Sequence, residues 1–444
     1  MPVIPSSFEP KEDRGQTRQP WRRWAWLALV LLVLAAGTLL FLQLEQYRFG
    51  DSYRVSAKAI IRDHEFSVAQ WEVGALGSEL SERLGIYPYG PTDSRAQQEV
   101  RDYLDVARRI GSLEDQLERD AAAGTEDGSR SNEARSLQKE INDLRARQEA
   151  RRPAVERTLE RQISSVIGGE NLGWWGGALP PVAFQFTEPP YYLVLSPRDE
   201  IKLRLGLLLV PSASLETRET VELAVEEELP NTSALVDGIG GFSTWPTMII
   251  DRANLEWVLS TIAHEWVHTY LIGFPLGWEY FGDNDAAAIN ETVADIVGNE
   301  VGGKALRRYY PDLAPPPVPD ERSLMRVHRV PAFEPPPFSF NEEMRITRER
   351  VDALLAEGRV AEAEEYMEER RLFLLENGYY IRRLNQAYFA YHGAYRTGAA
   401  APSEDPIGPR LRRLREESAD LASFLQAVRG MTGLDDLIAR VPEP

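Results

Sequence analysis

The chain carries five histidines in 444 residues and no cysteine. Two of the five stand four apart in His264-Glu265-Trp266-Val267-His268. On a helix, residues four apart lie one turn above each other, so both imidazoles can meet one metal ion. Glu265, one position further round, can reach a water on that ion without itself being a ligand, which is the arrangement of H-E-x-x-H zinc sites. The plainer alternative is a helix whose two histidines cap a core or face solvent. With cysteine absent, thiol nucleophiles, disulfide scaffolds, iron–sulfur clusters and Cys-type zinc sites are excluded.

Such a pair needs a helix to hold it and a third ligand to complete it. Leu255, Val258, Leu259, Ile262, Ala263, Val267 and Leu271 recur at helical spacing around the motif, with Asp251 as the expected N-cap and Gly273 and Pro275 as the stop. Downstream, Asn290-Glu291-Thr292-Val293-Ala294-Asp295 falls on a second expected helix, from about 283 to 301 and ended by Gly302-Gly303. The connection over 273–283 is long enough to reverse the chain and bring Glu291 beside the two histidines.

These residues resemble the gluzincin superfamily, the thermolysin-like and aminopeptidase-like zinc peptidases, in which H-E-x-x-H is completed by a Glu on a downstream helix, often within N-E-x-x-x-D. The resemblance covers roughly residues 240–301. It implies one Zn²⁺ per chain on His264, His268 and Glu291, with Glu265 as general base. It places Asn290 and Asp295 behind the ligands, Asp295 orienting a ligand imidazole through its other nitrogen. The gap from His268 to Glu291 is a few residues longer than is usual in the family, so Glu279, Asp283, Asp285 and Glu300 remain alternative third ligands.

The family also places a substrate-binding edge strand upstream, where Gly240 and Gly241 would let a peptide backbone approach closely. The G-x-M-E-N pattern of the aminopeptidase branch is absent, and no carboxylate in that stretch is evidently placed to hold a free amine. Family members further use a downstream His or Tyr as oxyanion donor. Here the expected helix over 384–396 offers His392 first and Tyr388 or Tyr395 second, with core packing as the competing explanation for that stripe. Arg382 and Arg383 are expected on a solvated face.

The expected fold class is α+β: an N-terminal transmembrane helix, a coiled-coil-like helical hairpin, and a small mixed sheet followed by a mainly helical zincin catalytic region. Residues 24–42 run nineteen residues without a charge, about 28 Å of helix against a hydrocarbon core of about 30 Å. Five cations precede this run and few follow, which favours a cytoplasmic tail over 1–23 and an extracytoplasmic body at a cell membrane. After a juxtamembrane stretch (43–98), apolar residues at threes and fours within a charged background predict a helical hairpin over 99–167, either an arm for a protein partner or an insertion packed on the main body. Pro153 is expected to kink or restart its second arm. Residues 168–250 read as β-rich and 251–444 as mainly helical, with a Pro-rich loop at 311–337.

A net charge of −19 argues against a nucleic-acid partner. Together these features predict a membrane-anchored zinc metallohydrolase acting on peptide or protein substrates. A membrane-tethered scaffold with a structural or degenerate zinc site, and a zinc hydrolase of a non-peptide substrate, stand as alternatives.

Overall fold

The computed structural model describes residues 52–72, 74–75, 94–122, 128–175, 177–314, 338–393 and 405–442. Two of these segments form a long antiparallel helix pair, α2 (Ser94–Ala122) and α3 (Gly128–Gly169), following a short α1 (Ser52–Ile61). The pair is laced on its outer part by ion pairs of Arg109 with Glu140 and Arg145 with Glu114, around Ile110, Leu113 and Ile141. At its base Val100, Tyr103, Leu104, Val155, Leu159 and Ile163 enter the main core. At 1.5 Å per residue, the 42 residues of α3 span about 63 Å. The helix continues through Pro153 rather than restarting there, with Val155, Leu159 and Ile163 anchoring the next turns.

Two three-stranded sheets follow. The first is antiparallel, in the order β3-β2-β4, from β2 (Tyr191–Pro197), β3 (Leu205–Leu209) and β4 (Thr232–Gly238). Side chains alternate across a strand. Accordingly, Leu193 and Leu195 pack against α1 and α4 (Leu215–Glu228), while Val194 packs with Ala387 and Ala390 of α9 (Gln386–His392) on the other face. The second sheet is mixed, in the order β1-β6-β5: β1 (Phe184–Phe186) lies parallel to β6 (Thr247–Ile249), and β5 (Gly241–Phe242) lies antiparallel to it.

Three of the four sheet edges are covered. Glu160 and Glu156 of α3 accept the backbone N–H groups of Phe184 and Phe186 on β1. Glu226 and Glu222 of α4 do the same for Ala234 and Val236 on β4. On β3, Leu208 carbonyl accepts the Phe66 N–H, and Val210 N–H just beyond donates to His64. Among the described residues β5 has no strand on its outer side. An open edge offers unpaired backbone groups to an incoming chain.

The ligand-bearing helices are α5 (Leu255–Leu271) and α6 (Asn284–Tyr309). Asn254, not Asp251, caps α5 by accepting the Trp257 N–H; Asp251 instead receives the Tyr103 hydroxyl at 3.1 Å and the Gln148 amide at 2.8 Å. Helix α6 runs through Gly302 and Gly303 to Tyr309. A Cβ on Gly302 would stand 2.6 Å from the Ser260 backbone, and one on Gly298 2.9 Å from the His264 Cβ, so these glycines are where α5 and α6 close on each other. The remaining helices are α7 (Phe340–Ala356) and α8 (Val360–Glu376), which pair, and α10 (Gly408–Glu417), α11 (Leu421–Val428) and α12 (Leu434–Arg440), which buttress α6.

The expected architecture therefore needs correction. Among the described residues no helix is long and apolar enough to cross a membrane. The two longest, α2 and α3, are dense in Arg, Glu and Gln. Residues 24–42, on which that expectation was placed, lie outside the described residues, as does nearly all of the Pro-rich 311–337 loop. In place of one small mixed sheet there are two sheets, and helix dominates throughout.

Candidate metal centre

Helix α5 buries Val258, Ile262, Trp266 and Tyr270 in the main core; Trp266 is tied down by its indole N–H, which donates to the Pro180 carbonyl at 2.7 Å. This fixes the rotation of the helix and turns His264 and His268 toward α6. Their Nε2 atoms stand 3.0 Å apart, and Glu291 Oε2 lies 3.5 Å from the first and 3.6 Å from the second. Donor atoms bound to tetrahedral zinc at 2.0–2.1 Å are separated by about 3.3 Å. The three atoms thus form a triangle of nearly the size that zinc requires.

Glu291 Oε2 is buried and makes no hydrogen bond, in a residue only 8% exposed. A desolvated carboxylate oxygen without a donor is costly unless a positive charge meets it. Burial works to raise the Glu291 pKa, but His268 and His264 overcome it and hold the group well below the usual carboxylate range. Burial likewise works to lower His268, yet Glu291 pushes it up to about 9. The site draws positive charge between these three groups, and protons and metal ions compete for such ligands. The residues present fit a zinc ion.

Orientation comes from behind. His268 Nδ1 lies 2.8 Å from Asn290 Oδ1, and the Asn290 amide nitrogen donates to the Leu276 carbonyl at 3.2 Å. Because the amide nitrogen is committed to that carbonyl, its oxygen must accept from His268. With a metal bound, the remaining proton would therefore sit on Nδ1 and leave the Nε2 lone pair for the ion. Asp295 stands half-buried on α6 one turn beyond Glu291, and one turn before Gly298, which abuts His264.

Glu265 is 7% exposed, and burial raises its pKa above the ordinary carboxylate value, with His264 and His268 opposing. Its Oε1 lies directly against β5: a Cβ on Gly241 would come within 2.5 Å of it. Gly240 is covered by Trp257 in the same way, at 2.4 Å. The motif carboxylate and the open strand edge thus share one surface, and Ser243, just after β5, donates its hydroxyl to the Glu265 carbonyl at 3.1 Å.

The alternative ligands do other work. Asp283 caps α6 by accepting the Ala286 N–H at 2.8 Å, Glu300 pairs with Arg415 at 2.6 Å, Glu279 opens a 3₁₀ turn, and Asp285 lies in the first turn of α6. On α9, His392 Nε2 sits 3.0 Å from Asp237 Oδ2 at the end of β4, and its ring lies 4.2 Å from that of Tyr388. Although burial opposes it, the His392 contact holds Asp237 below the usual carboxylate range. Tyr388 packs with Phe389, and Tyr395 lies outside the described residues. Arg382 and Arg383 are not on a solvated face; both bind Glu222, which is buried beneath β4.

One tyrosine that sequence reasoning passed over belongs to the centre, and a second feels its charge. Tyr280, in the turn between α5 and α6, donates its hydroxyl to Glu291 Oε1 and sets its ring edge-on to His268, 5.9 Å between centroids. Tyr391 on α9 has its hydroxyl held well above its ordinary pKa, first by burial and then by the charges of Asp237, Glu291 and Glu265, so it lies within electrostatic reach of the site.

Comparison of the chain with protein-family models, curated proteins and solved structures finds no match.

Proposed function

We propose that the protein is a zinc-dependent hydrolase of peptide bonds, with His264, His268 and Glu291 as metal ligands. The observation that carries the reading is the joint placement of two features: a metal-sized triangle with an orphaned carboxylate oxygen, and Glu265 lying against β5, whose outer side carries no strand among the described residues. A purely structural zinc is normally enclosed by four protein ligands. Here, among the described residues, the ligand group comprises three, with a buried carboxylate beside it. That favours catalysis over a scaffold role.

A Zn²⁺ held there supplies Lewis acidity, polarising a carbonyl and lowering the pKa of a water. The chain's own residues do the rest. An extended substrate adds to β5 as a strand, its backbone pairing with the open edge, and the absent side chain at Gly241 lets Glu265 lie directly against that strand. Glu265 takes the proton of the attacking water at its carboxylate and returns it to the leaving amine. Tyr391, whose hydroxyl feels the charges of Glu291 and Glu265, is the donor this reading assigns to the oxygen on which negative charge develops. Asn290 keeps the His268 lone pair directed at the centre throughout.

The test is Glu265→Gln, assayed on a mixed library of quenched-fluorescence peptides together with metal analysis. Hydrolysis should fall at least 10³-fold, a barrier increase of about 4 kcal/mol, while zinc remains bound. Undiminished hydrolysis in the variant would sink the assignment.

A further inference from the structure

The two oxygens of Glu291 are treated differently. Oε2 faces the imidazoles with no hydrogen bond, whereas Oε1 is taken by the Tyr280 hydroxyl. A carboxylate with both oxygens free can rotate and chelate an ion through both, filling a coordination position that a reacting water or carbonyl needs. A carboxylate with one oxygen already engaged offers a single oxygen, always the same one.

The turn that carries Tyr280 is itself fixed. Leu276 accepts the amide of Asn290, the residue that orients His268, and the Leu276 N–H donates to the Arg429 carbonyl at 3.2 Å. Arg429 reaches back to the Tyr270 hydroxyl at 2.9 Å and lies over the Phe274 ring at 4.4 Å. One short segment, 276–280, therefore controls two of the three ligand residues: His268 through Asn290, and Glu291 through Tyr280. The C-terminal helices brace that segment through Arg429.

We propose that Tyr280 is a positioning residue which holds Glu291 to one-oxygen ligation and so keeps an open coordination position at the metal. This rests on the zinc reading above. Removing the hydroxyl frees Oε1, which lowers metal affinity by loss of an outer hydrogen bond, typically 10–100-fold, and alters the coordination geometry.

The experiment compares wild type, Tyr280→Phe and Tyr309→Phe as full chains. Tyr309 lies on the same helix, and its buried hydroxyl has no hydrogen-bond partner among the described residues, so its removal touches no ligand. Zinc dissociation constants are measured by competition with a chromophoric chelator. Visible absorption of the cobalt-substituted proteins reports coordination, and thermal midpoints of the metal-free proteins report folding. Tyr280→Phe should bind zinc 10–100-fold more weakly and show a weaker, shifted cobalt band, with Tyr309→Phe unchanged in both. If Tyr280→Phe matches wild type in affinity and cobalt spectrum, the proposal is overturned while the zinc site stands. If wild type itself binds neither ion stoichiometrically, the zinc reading fails and this proposal with it.

Discussion

Gly241→Ala puts a methyl group in place of one hydrogen, and the structure says where it goes. The new Cβ would stand 2.5 Å from Glu265 Oε1 and 3.1 Å from its Cδ, with the Thr261 methyl at 3.0 Å. Ordinary contact begins near 3.4 Å, so the carboxylate must retreat by about 0.9 Å. Glu265 is only 7% exposed and cannot swing into solvent without disturbing its neighbours. A displacement of about 1 Å at a reacting group typically costs about 10²-fold in rate, or about 2.7 kcal/mol of barrier. The ligands on the far side of the helix turn are untouched, so zinc content should remain one per chain. The assay is kcat/KM on a peptide that the wild type cleaves, alongside metal analysis and thermal melting. A fall of about 100-fold at constant zinc is expected. Wild-type turnover would refute the placement of the base against β5, and loss of zinc would refute the separation of base from ligands.

Two further outcomes follow from packing and burial. Gly302→Ala places a Cβ 2.6 Å from the Ser260 backbone, which cannot yield as a side-chain tip can, so α5 and α6 must separate. Urea denaturation should show a loss of about 1–3 kcal/mol from overpacking, reduced by up to about 1 kcal/mol for the better helix propensity of alanine. Glu72, 5% exposed and accepting the Trp245 N–H, is pushed up to about 7 by burial. A raised carboxyl pKa means that the folded state holds a proton the unfolded state has lost. Stability is thus fully present below the unfolded value near 4.5 and declines as pH rises through about 7. After discounting for partial solvation the decline is on the order of 1–2 kcal/mol. Denaturation midpoints between pH 4.5 and 8 should fall in wild type and stay flatter in Glu72→Gln, and equal slopes would contradict the assignment.

What the sequence made legible was local. His264, Glu265 and His268 are related by helix geometry alone, whereas Asn290 and Glu291 were singled out by the resemblance of N-E-x-x-x-D to the zinc peptidases. What it could not reach depended on distant partners. Asp251 looked like a helix cap because its local context allowed one, but Tyr103 and Gln148 of the long hairpin claim its carboxylate. Gly302-Gly303 looked like a helix stop, whereas close approach to Ser260 requires the small residue at 302 in mid-helix. Tyr280 sat in a connection whose length could be judged from sequence but whose path could not, and its contact with Glu291 exists only once that path is known. Arg382 and Arg383 read as solvated because Glu222, their partner, is about 160 residues away in sequence. The split into two sheets escaped detection because β1 and β6, which pair, are separated by the whole of the first sheet.

The most direct test of the account is the zinc content of the purified protein, by mass spectrometry after dialysis against metal-free buffer, for wild type and His264→Ala side by side. The account predicts one zinc per chain in wild type and at most about a tenth of that in the variant, because two of three ligands do not retain the ion through dialysis. A wild-type protein without stoichiometric zinc after zinc loading, or a His264→Ala protein that keeps one zinc per chain, would contradict it.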